Sequence, residues 1–261
     1  MLENQLSRYG AIAKNLPYTA GKVFFAVSSD DTHYGDFQHE FPADKNGVQR
    51  VHSTIQAAIN AAAVEPDPSA GHVILIKPQE MAAGATDPTS WAETLTIAAA
   101  QANLQLIGMT ASRAQGGLAQ IKKGSGSTAL LTVRAPGCLI KNLGFNGISS
   151  TGDGILLDDD GSTKTAFGTT IENCHFKNCV GSTATNAATG GAIQWSSAGN
   201  AWQVLIKGNR FYKNVGDIVL IGTSGSVPQD VVIEDNIFSG PAASVDCNLY
   251  LAGGSGMNGV I

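Results

Sequence analysis

Charge is scarce in this chain. Only 14% of its residues are Asp, Glu, Lys or Arg, and the formal balance is −5. Affinity for a nucleic-acid backbone comes mainly from Lys and Arg neutralising phosphates, so this balance excludes DNA and RNA as expected partners. Long apolar runs are missing too. None approaches the ~18 residues that cross a bilayer, and the opening MLENQLSRYG has neither a basic nor an apolar region, so no membrane span or classical secretion signal is expected. Cysteine is rare. Cys138, Cys174, Cys179 and Cys247 stand singly, without the CxxC pairs of a zinc site or the density of a disulfide scaffold, and read as buried thiols. Helical periodicity is confined to one short stretch, which leaves a β-rich, turn-rich chain.

Glycine is plentiful, at 31 residues, and short apolar runs separate the turns. One run is written four times: LIKNLGF (139–145), TIENCHF (170–176), LIKGNRF (205–211) and VIEDNIF (232–238). Ile140, Ile171, Ile206 and Ile233 fix the phase, with Phe145, Phe176, Phe211 and Phe238 five residues later. Each segment reads as one strand. The spacings of 31, 35 and 27 residues are those of a solenoid whose loops vary while its core repeats. A second series, GDGILLD, GGAIQWS, GDIVLIG and CNLYLAG, keeps step with the first, so each coil carries at least two strands and residues 72–261 make about six coils. Stacked in register, the Ile and Phe positions form apolar ladders. Lys141, Glu172, Lys207 and Glu234 follow the Ile positions and form an outward row of alternating sign.

Upstream, HSTIQAAINAAA places Ile55, Ala58, Ile59 and Ala62 on one helical face, with Ser53 and Gln56 in a capping-box pattern. HVILIK, ETLTI, NLQLIGM and ALLTVR read as the strands that follow. Residues 1–50 read as a segment for attachment or oligomerisation, an arm over 1–27 that ends in the strand KVFFAV (22–27) and a polar loop over 28–50, and residues 51–261 as the solenoid domain. Within the arm, Ile12, Leu16, Tyr18, Phe24 and Phe25 need a surface to bury against, either this chain's own first coil or a neighbouring subunit. The end at GMNGVI shows no cap, so a further segment, partner or surface is expected to cover the last coil.

STIQAAINAAA, HVILIKP, WAETLTI and LQLIGM, together with the repeats, resemble the pectin-lyase-like superfamily over about residues 50–261. The resemblance implies an all-β, right-handed parallel β-helix with a short N-terminal capping helix and an N-terminal arm. The fold hosts lyases, hydrolases, esterases and non-catalytic spikes, so function depends on the site.

Three acidic constellations bear on chemistry. Asp153, Asp158, Asp159 and Asp160 in GDGILLDDDGST offer hard oxygen ligands for calcium, or form a solvated turn ending at Gly161, which is the simpler reading. A lyase of this family also needs a basic residue beside its ion. Arg134 and Arg210 lie on other strands, and the sequence does not place either of them there. Asp217 in GDIVLIG only loosely matches the aspartate motif of pectin methylesterases, whose later arginine motif is missing, and Asp235 stands apart from a partner carboxylate. His33, Asp36 and His39, with Glu40, recur every three residues, but Gly35 interrupts them and no apolar stripe supports a helix, so a solvated loop is expected. No catalytic, cofactor or metal residue is assigned.

GKVFFAVSSDD and EFPADKNGVQRVHSTIQAAINAA also resemble the start of uncharacterised phage and marine viral β-helix proteins. The expected function is therefore a non-enzymatic bacteriophage virion protein, capsid-decorating or spike-like, located in the particle. Its expected partners are capsid or other virion proteins through the arm, copies of itself in a trimer, and a host surface glycan. The alternative is a polysaccharide-degrading enzyme, either a tailspike depolymerase or a lyase or esterase.

Overall fold

The computed structural model describes residues 21–79, 89–109, 118–124, 126, 128–161, 165–183, 189–196, 201–221, 228–240, 247–252 and 259–260. Each segment of the LIKNLGF series is two strands, not one. Leu139–Lys141 and Leu143–Asn146 meet at Asn142, and the later copies break in the same way at Asn173, Gly208 and Asp235. These four residues have φ of 57°, 54°, 66° and 56°. Gly, Asn and Asp enter this left-handed region at least cost, and it turns the chain from one sheet into the next. The bend also resolves a parity problem in the repeat. Residues five apart would face opposite sides of a straight strand, yet Ile140, Ile171 and Ile206 share one core with Phe145, Phe176 and Phe211.

The chain is mostly β, with parallel sheets and two helices among the described residues. It passes through three sheets in rotation, so each circuit contributes three strands rather than the two expected as a minimum. The first sheet runs Val51–His52, Val23–Ala26, Val73–Ile76, Gln105–Gly108, Leu139–Lys141, Thr170–Glu172, Leu205–Lys207, Val231–Glu234, Gly259–Val260. The second runs Trp91–Ala92, Ala119–Lys122, Leu143–Asn146, His175–Lys177, Arg210–Tyr212, Ile237–Ser239. The third runs Leu95–Ile97, Leu131–Val133, Ile155–Leu157, Ile193–Trp195, Gly216–Ile221, Cys247–Ala252. Buried side chains from all three sheets form a single apolar core.

Register places like on like. Phe145, Phe176, Phe211 and Phe238 are direct cross-strand partners, with ring centroids 5.0, 5.2 and 5.1 Å apart and planes within 11° of parallel. On the outer face of the first sheet, Lys141, Glu172, Lys207 and Glu234 are likewise neighbours. Lys141 Nζ lies 3.0 Å from Glu172 Oε2, and Lys207 Nζ lies 2.7 Å from Glu234 Oε1. Glu172→Lys would set three lysines side by side. We expect a loss of up to about 1 kcal/mol that shrinks at high salt, read by denaturant titration at two ionic strengths. A salt-independent loss would show that the row is not held by charge.

At the N-terminal end, Val23–Ala26 lies inside the first sheet, paired with Val73–Ile76 on one side and Val51–His52 on the other. Residues 21–50 are thus built onto the first circuit instead of standing off as part of an arm. Phe24 is in the core, and Phe25 stacks on Phe41 with centroids 4.2 Å apart. Two of the five apolar arm residues are therefore covered by their own chain, while Ile12, Leu16 and Tyr18 lie outside the described residues. Lys22 pairs with Asp44 and Glu65, and Lys77 with Asp31, fastening the segment.

The segment expected to be a solvated loop around His33 is an α-helix, Tyr34–Glu40. Phe37, in the helix, and Phe41, at its C-cap, lie four residues apart and pack with Phe25 over the outer face of the first sheet. That tertiary contact supplies the apolar face that composition alone did not reveal. In register along this outer row, Phe25, Leu75 and Ile107 give way to Lys141. The apolar members belong to the cluster that includes Phe37 and Phe41, and from Lys141 onward the row carries charge.

The helix Ile55–Ala63 buries Ile55, Ala58, Ile59 and Ala62 as expected and touches strands of the first and third sheets. Its cap differs from the Ser53 box. Thr54 is the N-cap, its hydroxyl accepting from Ala57 N at 3.1 Å, and the Glu93 carboxylate accepts from Ile55 N and Gln56 N at 2.9 Å each. Gln56 Oε1 instead accepts from Thr96 N at 2.8 Å. A carboxylate at this terminus satisfies two free donors and opposes the helix dipole.

Candidate functional site

Two of the corners between sheets become polar in the later circuits, and Asp153, Asp217 and Asp235 lie at these turns. At the corner between the first and second sheets, Asn209 is fully buried. Its Oδ1 accepts from Cys174 N at 2.8 Å and its Nδ2 donates to Ile171 O at 2.9 Å, one circuit below. Asn236 repeats the contact one circuit above, accepting from Asn209 N at 2.9 Å and donating to Ile206 O at 2.9 Å. Cys174 fills the same place below, with Sγ 3.6 Å from Ile140 O, so a thiol weakly copies the amide.

At the corner between the second and third sheets, Asn214 Oδ1 accepts from Cys179 N at 3.0 Å, and Nδ2 donates to Asp217 Oδ1 at 2.8 Å. Asp217 is buried and held by this amide. The thiols of Cys138, Cys174 and Cys179 are buried, which pushes each up to about 12 and keeps it protonated. Cys247 differs from the expectation in being half-buried, and none of the four is in a disulfide.

Asp153 has the most site-like electrostatics. It is 8% exposed and accepts from Gly191 N at 2.8 Å. The Gln194 amide, with its nitrogen toward the carboxylate, donates to Oδ1 at 2.8 Å and to Oδ2 at 3.1 Å. Lys123, also buried, donates to the carbonyls of Thr128 and Thr151 and lies close enough to favour the carboxylate. Burial prevails over these contacts and lifts Asp153 from 3.8 to about 7. A Cβ on Gly190 would come within 2.1 Å of Asp153 Oδ1, so the pocket is packed closed around the carboxyl. This geometry favours a structural acid over one that meets a polymer.

Its pH signature follows from linkage. A folded value raised above the unfolded one means that the folded state holds the extra proton. The stabilisation is complete below about pH 4 and is lost as pH rises through about 7. We expect the wild type to lose stability between pH 5 and pH 8, and Asp153→Asn to flatten that slope, as measured by denaturant midpoints. Equal slopes in the two proteins would remove Asp153 as the source.

The remaining candidates do not converge. Asp158 Oδ2 accepts from Arg134 Nε at 3.0 Å, because Arg134 and Asp158 follow the paired residues Val133 and Leu157 on adjacent circuits. That pairing was readable by aligning ALLTVR with GILLD. Asp159 Oδ1 accepts from Gly161 N at 2.9 Å, as in the turn reading of this segment. Asp160 lies beside them in the same turn. Asp235 is the bend residue described above, 3.9 Å from Lys207 Nζ. Arg210 lies on the outer face of the second sheet beside His175. His33 Nδ1 is 3.2 Å from Asp36 Oδ2, and Asp36, His39 and Glu40 are exposed on the short helix. Among the described residues no group of three or more His, Cys, Asp or Glu side chains is placed to hold a metal ion.

Among the described residues no helix is long and apolar enough to cross a membrane. No protein-family model matches the chain, and no curated protein matches it.

Proposed function

We propose that the three-sheet stack is a right-handed parallel β-helix of the pectin-lyase-like type, and that the chain is a non-enzymatic structural protein of a bacteriophage particle. In this reading it decorates the capsid or forms a spike, anchored through the residues before Gly21 and assembled with copies of itself.

One observation carries the non-enzymatic part. Four of the carboxylates that lyase, esterase or hydrolase chemistry would draw on are engaged in the frame: Asp153 in a closed corner, Asp158 with Arg134, Asp159 in its turn and Asp217 under Asn214. A carboxylate that holds a buried amide or a cross-circuit cation is poorly placed to exchange that partner for a substrate proton or a calcium ion.

The test is to purify particles from a lysate expressing this chain and to locate it by electron microscopy and quantitative mass spectrometry. A fixed copy number per particle is expected, with no release of unsaturated, ultraviolet-absorbing products from uronate polymers. Absence from particles, or release of such products, would overturn the reading in favour of a polysaccharide-degrading enzyme.

A further inference from the structure

The outer face of the first sheet changes partway along the rod. Toward the N-terminal end its apolar side chains are covered, since Val73 and Leu75 have almost no exposed surface and belong to one cluster with Phe37 and Phe41. Beyond Gln105 the row that begins with Val73 runs on in register as Leu139, Thr170, Leu205 and Val232, each half-buried. Two residues further along these strands stand Lys141, Glu172, Lys207 and Glu234.

The corner that leads into this sheet adds a third row. Pro136, Phe167, Trp202 and Gln229 each precede a left-handed residue, namely Gly137, Gly168, Gln203 and Asp230. Gly137 N donates to Phe167 O, Gly168 N to Trp202 O and Gln203 N to Gln229 O, at 2.7, 2.9 and 2.9 Å, which stacks the corners in register. Phe167 and Trp202 therefore meet, with ring centroids 5.5 Å apart, and Trp202 is still 43% exposed. An exposed tryptophan beside a half-buried apolar row has the composition of an interface core, and the charged row flanks it as a rim.

The order of the charges decides what fits this face. Along the rod they read plus, minus, plus, minus. A second copy lying parallel, with its charged row opposed at the same height, would set each charge against its own kind. Turned end for end about a two-fold axis between the circuits of Glu172 and Lys207, it sets Lys141 against Glu234 of the second copy and Glu172 against Lys207 of the second copy. The same operation brings Trp202 to Phe167 of the second copy and Leu139 to Val232 of the second copy. All three rows complement themselves about one axis, as an isologous contact requires.

We propose that two copies of this chain pair through the outer face of the first sheet, side by side and antiparallel. The aromatic anchors pack along the corner, sheet stacks on sheet at about 10 Å, and the charges fix the register. The inference names a face for the self-assembly in the reading above and rests on that part of it alone, so presence on a particle is decided by its own experiment.

The test takes the full chain through sedimentation velocity and small-angle X-ray scattering over a concentration series. We expect a reversible monomer–dimer equilibrium below about 1 mM, the weak end of the affinity scale, and a dimer much shorter than two rods placed end to end. Trp202→Ala should weaken pairing about tenfold or more, as for an aromatic anchor at an interface centre. Two double variants test the charge order. Lys141→Glu with Lys207→Glu, and Glu172→Lys with Glu234→Lys, should each be folded by circular dichroism, monomeric alone and paired when mixed. If either fails to fold, Trp202→Ala decides by itself. A chain that stays monomeric up to about 1 mM, a trimer, undiminished pairing by the folded Trp202→Ala protein, or folded double variants that do not pair when mixed would overturn the proposal.

Discussion

Phe176→Ala is expected to destabilise the chain by about 3 to 5 kcal/mol, the range for removing a large buried ring that its surroundings cannot refill. Phe176 has no exposed surface, and it lies stacked between Phe145 and Phe211, each about one strand spacing away and nearly parallel to it. Both neighbours are fixed by their own strands, so neither can tilt far into the gap. Gly154 lies beside the same ring, and a Cβ added there would meet Phe176 Cδ1 at 3.0 Å. The cavity would therefore stay open. Equilibrium denaturant titration reads the effect, and a change under about 1 kcal/mol would mean that the ladder does not bear on stability. The same substitution at Phe238, 36% exposed at the end of the row, should cost clearly less.

Asn209→Ala should rival it, although the side chain is polar and much smaller. The amide satisfies Cys174 N and Ile171 O, which belong to the circuit below and lie in the interior at the corner. Truncation leaves both without that partner, and each unsatisfied buried group costs about 1 to 3 kcal/mol. We expect a loss of about 2 to 5 kcal/mol. Asn209→Asp would keep the acceptor for Cys174 N but remove the donor to Ile171 O and add a buried charge. It should not rescue, except in part at low pH where the carboxyl is neutral. If Asn209→Ala costs no more than an exposed substitution such as Gln203→Ala, the corner amide is not a structural element.

These two residues mark how far the sequence could be read. Phe176 was legible because an apolar residue that recurs at a fixed offset from Ile must face a shared interior, whatever the loops do. The salt-bridged row at Lys141, Glu172, Lys207 and Glu234 was legible for the same reason, one residue out of phase. Asn209 was not. In GNRFYKN it looks like any turn residue, and its role exists only because residues 35 and 38 positions earlier arrive within hydrogen-bonding distance. Glu93 is a similar case, capping a helix 38 residues upstream through Ile55 N.

The misread elements fail for the same reason. The segment around His33 lacks a periodic stripe because its helix buries little more than Phe37, and Phe41 at its C-cap and Phe25 on the sheet provide the rest of the contact. LIKNLGF reads as one strand because a left-handed residue at Asn142 leaves no stronger trace than an asparagine, a residue that turns and strand ends share. The repeat itself determined a stacked β architecture, its interior ladders and its charged row, because each depends only on residue type at equivalent positions, and helical spacing determined the short helix at Ile55, Ala58, Ile59 and Ala62. Tertiary structure alone decided the three-sheet circuit, the placement of residues 21–50 on the first sheet, the enclosure of Asp153 and the meeting of Phe167 and Trp202 along one corner. Those features depend on which circuits come to lie side by side, and loops of unequal length conceal that order from the sequence.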